Sequence, residues 1–81
     1  MKKVYCFSRP EVTNVEGHDL ILDEKSVSGF LLDGEELKWV TTVVVQNSRD
    51  DDQAIADKMM IMGYNIDEYE FIAEKDIKEV V

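Results

Sequence analysis

The 81-residue chain is poor in the residues that usually announce a chemistry. Its one cysteine, Cys6, allows no disulfide within the chain and no zinc site built from its own thiolates. One proline and four glycines are too few for a linker or a low-complexity segment. No apolar run approaches the roughly 18 residues of a membrane-crossing helix. The run that follows Lys2 and Lys3 is also too short for a signal peptide. With an unpaired cysteine, these gaps predict a soluble protein of the reducing cytoplasm. Neither G-x-x-x-x-G-K-[ST] nor G-x-G-x-x-G occurs, so no phosphate-cradling loop is expected.

Positive charge is scarce as well. Nine Lys and Arg stand against eighteen Asp and Glu, for a net charge of −9. Residues 1–10 hold Lys2, Lys3 and Arg9 and no acid, so the rest of the chain carries six basic and eighteen acidic side chains. Phosphate binding needs a positive footprint, which this composition does not supply, and an anionic membrane surface is disfavoured for the same reason. A charged partner of such a chain is expected to be basic.

What the sequence does contain is globular. Hydrophobic residues make up 44% and charged residues 33%. One small domain spanning 1–81 is expected, burying about 60–65% of the surface its unfolded chain exposes. Residues 3–8, KVYCFS, read as a strand that is apolar on both faces and ends at Pro10. Residues 11–23 are ambiguous, with Glu16-Gly17 as the turn of a small hairpin. The clearest hairpin lies over 26–46, with Asp33-Gly34 between two apolar runs. If those two residues form the loop, Phe30 pairs with Leu37. One core face then collects Phe30, Leu32, Leu37 and Trp39, and continues through Thr41, Val43 and Val45.

A helix is predicted over about 49–62. Ser48 suits its N-cap, and Asp50, Asp51 and Asp52 fall in the first turn, where the helix dipole favours negative charge. Ile55, Met59 and Met62 make its apolar stripe, Ala56 and Met60 widen it, and Gly63 stops it. Residues 68–74 alternate as a final strand, with Tyr69, Phe71 and Ala73 on one face. The tail from Lys75 reads as a helical turn or a further strand. A single helix must bury its stripe on the sheet. The expected fold class is therefore α+β: a two-layer sandwich with a mostly antiparallel sheet of four to five strands and one amphipathic helix on one face.

Candidate chemistry is thin. An EF-hand loop begun at Asp50 would need glycine at its sixth position and glutamate at its twelfth, but Ile55 and Ile61 stand there. Three successive residues on a helix also point about 100° apart, so the aspartates read as a helix start. His18 is the only histidine and falls in a turn; nucleophilic catalysis would need it beside Ser8 or Cys6. No nucleophile elbow is present. No catalytic residue, metal site or cofactor is expected, and the chain is not read as an enzyme.

The stretch from Val43 to Phe71 resembles the strand–helix–Gly–strand opening of ACT-type regulatory domains, with Gly63, Tyr64, Asn65 and Ile66 at the step into the next strand. That resemblance implies a βαβ element and no ligand residues.

Two functions stay open. The first is a small acidic protein-interaction module that binds or inhibits a basic macromolecule, in the manner of phage- or plasmid-borne inhibitors, nucleic-acid mimics and immunity proteins. Its expected contacts are Asp33, Glu35 and Glu36 at the hairpin tip and Asp50, Asp51 and Asp52 at the helix start. The second is a small-ligand-binding or regulatory βαβ module acting as a homodimer. No direct nucleic-acid contact or membrane is expected, and the chain is either a monomer or a homodimer.

Overall fold

A computed structural model describes residues 1–77. Four strands, β1 (Lys2–Val15), β2 (His18–Asp33), β3 (Glu36–Gln46) and β4 (Tyr69–Ala73), form one sheet in the order β3-β2-β1-β4. One helix, α1 (Asp51–Ile61), covers one face. This is the expected α+β sandwich. β1 and β2 pair antiparallel, as do β2 and β3, while β4 lies parallel to β1. Strands β3 and β4 therefore run the same way, as a βαβ unit requires, but β2 and β1 lie between them.

β1 does not end at Pro10. It runs on to Val15, with a register shift between Pro10 and Val12. Pro10 lies beyond Cys6, the last residue of β1 to pair with β4, where β1 has become an edge strand. The ambiguous segment 11–23 thus forms a two-stranded ribbon with β1 and β2 as its sides. Its turn is Glu16-Gly17, both with positive φ, at 51° and 83°. That is the type I′ geometry that matches the twist of paired strands.

The second hairpin turns one residue later than expected. Asp33 pairs with Glu36, leaving Gly34-Glu35 as the loop, and Gly34 takes the positive φ at its first position. Leu32 then faces Leu37, and Phe30 faces Trp39. Between Phe30 and Gly29 the register shifts, so that Gly29 meets Thr41 and Val40 is the extra residue. This bulge inverts the alternation along β3. Val40, Val43 and Val45 pack toward the helix, whereas Leu37 and Trp39 lie on the opposite face. The single core face expected for Phe30 through Val45 is therefore two half-faces on opposite sides of the sheet.

The core is small and aliphatic. Val4, Cys6, Val27, Ile55 and Met59 are fully buried, with Leu31, Tyr69 and Phe71 packed around them. The helix packs tightly over Gly29, where a Cβ would stand 2.7 Å from Ile55 Cγ2, so a side chain there would collide with a fully buried residue.

Asp50, not Ser48, is the N-cap of α1, and its side chain makes no capping hydrogen bond. Asp52 instead accepts from the Gln53 amide (2.9 Å). At the other end, Gly63 (φ 99°) follows the cap residue Met62. Tyr64 N–H donates to Met59 O and Gly63 N–H to Met60 O, the paired bonds of a Schellman motif. The buried stripe is Ala54, Ile55, Ala56 and Met59. Met60 and Met62 were expected on it, but both are exposed, as is Ile61. The tail forms a 3-10 turn over Glu74–Asp76, and the remainder of the expected tail element lies outside the described residues.

Candidate functional site

The two expected acidic patches do not come together. The tip of the β2–β3 hairpin and the start of α1 sit at opposite ends of β3, which at 11 residues spans about 35 Å. Asp33 is bound to Lys38 (2.8 Å), and that hydrogen bond and charge lower its pKa. Glu35 and Glu36 are exposed.

At the helix start, the three aspartates have three different situations. Asp50 is exposed. Asp51 pairs with Lys25 at 2.6 Å, both side chains being mostly covered (12% and 16% exposed). That pair ties α1 to β2. Asp52 serves its own helix backbone, as described. Among the described residues, no three His, Cys, Asp or Glu side chains converge as metal ligands would.

A shallow hollow of about 460 Å³ opens at this end, lined by Ser8, Lys25, Asn47 to Asp52, and Ala73 to Lys75. Two of the cations near it are engaged locally, Lys25 with Asp51 and Arg49 with Asp57. These two cations are therefore already committed, and neither is open to an anionic ligand there.

The larger acidic feature is the ribbon. Strand β3 reaches only as far as Glu24, which meets Gln46, and β4 only as far as Cys6. Beyond those points β1 and β2 pair only with each other among the described residues. Every residue from Val12 to Glu24 is exposed. Residues 11–24 contain five carboxylates, Glu11, Glu16, Asp19, Asp23 and Glu24, and no Lys or Arg. Apolar side chains are interleaved with them: Val12, Val15, Leu20, Ile21 (75% exposed) and Leu22. Val12 pairs with Ile21 and Thr13 with Leu20, so both faces of the ribbon carry apolar groups.

Local hydrogen bonds hold this shape. Asn14 Nδ2 donates to Asp19 (3.0 Å), and Gly17 N–H donates to Asn14 Oδ1 (3.2 Å). The ribbon's base is fixed by Asn47, whose backbone N–H donates to Asp23 O. That bond sets the base of the ribbon, at Asp23, next to the loop that carries Asp50. The molecule measures 46 × 35 × 20 Å; a 14-residue strand alone spans about 46 Å.

His18 stands at the far end of the ribbon, paired with Val15, whereas Ser8 pairs with Val27 and Cys6 with Gly29 in the body of the sheet. The geometry does not assemble a histidine–nucleophile pair. Cys6 is fully buried. Burial, with Asp52 and Asp51 adding negative charge, raises its pKa to about 12, so its thiol stays protonated and unreactive at neutral pH.

The ribbon acids were not among the expected contact residues. Their signal was present as a 14-residue run without a cation, but Pro10 suggested that the strand ended before it began. Among the described residues, no helix is long and apolar enough to cross a membrane. Compared with protein-family models, curated proteins and solved structures, the chain matches none.

Proposed function

We propose that this chain is a small acidic protein-interaction module that docks on a basic macromolecular partner in the cytoplasm and works by occupying that partner's surface, without catalysis. The observation that carries the reading is the projecting ribbon, with five carboxylates, no cation and exposed aliphatic side chains on both faces. Solubility alone asks only for scattered charge; it does not ask for Val12, Leu20 and Ile21 in water beside the acids. A two-stranded ribbon without further strands is marginally stable in water. A partner groove lined by cations and apolar pockets would order it and pair its charges. Asp50 and Asp52 extend the same acidic end. Glu35 and Glu36, at the opposite end of the sheet, are left for a separate contact.

The test is capture of binding proteins by the native chain and by a variant carrying Glu16→Lys, Asp19→Lys, Asp23→Lys and Glu24→Lys. The expected partner is basic, its retention falls by about tenfold or more between low and high salt, and the variant loses it. A partner that ignores both salt and the reversals overturns the reading. The matching reversal of Glu35 and Glu36 is expected to leave retention of the same partner nearly unchanged.

A further inference from the structure

Among the described residues, no second layer covers the face of the sheet opposite α1, and around the β2–β3 hairpin that face is apolar. Tyr5 and Phe7 from β1, Phe30 and Leu32 from β2, Leu37 and Trp39 from β3 and Ile72 from β4 lie on it. Phe7 and Phe30 pack edge to face, with centroids 5.6 Å apart. A sheet with one solvated face normally alternates apolar and polar residues, and this one does not. Trp39 is 62% exposed and Leu37 is 47% exposed. We infer that this face is covered by the same face of a second copy of the chain, giving a two-fold dimer in which two four-stranded sheets pack against each other with the helices outside.

Three observations choose a second copy over another occupant. First, the size is that of a small specific interface. Four strands about 4.8 Å apart and about eight residues long make a face of about 500 Å² before side-chain relief is counted. A standard interface buries about 800 Å² on each partner. Second, the surface holds both a projection and recesses. Trp39 stands up from it, pinned by Nε1–H donating to Thr42 Oγ1 (2.9 Å). Beside it are hollows of about 400 Å³, floored by Phe7, Phe30 and Leu37, and about 840 Å³, floored by Tyr5, Leu32 and Ile72. A two-fold contact would set each copy's ridge against the other's hollows, as a self-complementary surface requires.

Third, the charge fits. The chain carries twice as many acids as bases, yet the charged groups bordering these hollows are Lys3 and Arg9 against Glu35 and Asp76. The face is thus near neutral while the acidic ribbon and helix start point elsewhere. A basic partner is drawn to the acidic end; an apolar, balanced surface suits its own copy.

The inference is independent of the ribbon reading, and salt separates the two. Repulsion between two copies, each of net charge −9, is screened by added salt, so the dimer tightens where ribbon binding weakens. Sedimentation equilibrium of the native chain is expected to give about twice the 9.3 kDa monomer mass. Trp39 fluorescence is expected to be blue-shifted and to move red on dilution. The double variant Leu37→Lys, Trp39→Lys changes only exposed positions. It is expected to keep the native far-ultraviolet circular dichroism and to sediment as a monomer. Met60→Lys with Ile61→Lys on the helix, and Ile21→Lys on the ribbon, are expected to leave the dimer intact. A native chain that stays monomeric at high concentration overturns the inference. So does a dimer that survives the Leu37, Trp39 variant, or one lost through the helix or ribbon variants.

Discussion

The two faces of this sheet are built from alternate residues of the same strands, yet they are different materials. On β1, Val4 and Cys6 point under the helix and are fully buried. Tyr5 and Phe7, between them, lie on the open side and are half-buried. The helix face is aliphatic at its buried centre, with Tyr69 and Phe71 at its margin, and tight, close enough at Gly29 to leave no room for a methyl group. The open face is aromatic and corrugated. Apolar content alone does not make a core. What makes the helix face a core is a second layer at packing distance, which removes its side chains from water.

The largest test of that contrast is a pair of truncations, each measured by denaturant unfolding of dilute protein. Ile55→Ala, at a fully buried position, is expected to cost about 2–5 kcal/mol through lost transfer energy and a cavity. Leu37→Ala, on the open face, is expected to cost less than about 1 kcal/mol in the same dilute sample, because its side chain is already half in water. Equal costs would mean that the open face is packed within the single chain.

A smaller effect separates the faces by pH. The thiol of Cys6 is held protonated to about pH 12, whereas an ordinary thiol ionises near 9.0. The raised value means that the unfolded chain loses this proton first. The contribution to stability is full below about pH 9 and is lost as pH climbs toward 12. Native protein minus Cys6→Ala is expected to show that loss as a fall in unfolding midpoint confined to this window. The native thiol is also expected to resist alkylation at pH 8 until the chain unfolds. Rapid native alkylation would show that the helix does not seal its face.

The smallest effect concerns the ribbon. Glu16 holds φ 51°, which suits asparagine better than glutamate at the first position of a type I′ turn. Glu16→Asn is expected to raise stability by a few tenths of a kcal/mol up to about 1 kcal/mol. Slower hydrogen exchange at residues 12–22, with the sheet unchanged, is the measurement that checks it.

Much of this was legible in the chain itself. The helix and its Gly63 stop follow from local spacing and from the one residue that accepts positive φ without cost. The β-branched run of β3 and the alternation of Tyr69, Phe71 and Ala73 follow from period two. The first hairpin's turn at Glu16-Gly17 was visible too, but not the length of its arms, because Pro10 reads as a stop until it is seen to lie on an edge. Ser48 and Asp50, two residues apart, are both good caps, and only the path out of β3 chooses Asp50. Asp33, Glu35 and Glu36 are exposed, as a hairpin tip implies; their distance from Asp50 could not be read without the sheet.

The elements and their order follow from contacts between residues close in the chain, and the charge from composition alone. The sequence also made both faces of the sheet apolar. Only the tertiary structure decided which face the helix would take. One extra residue at Val40 shifts the phase of β3, sending Trp39 to the open side and Val43 to the core. A bulge changes every side chain beyond it at almost no local cost, so its consequence exists only where a long-range layer rewards one phase over the other. The same long-range pairing decided the ribbon. It projects because β3 and β4 end before β1 and β2 do, and the strands' lengths in space were set by their partners.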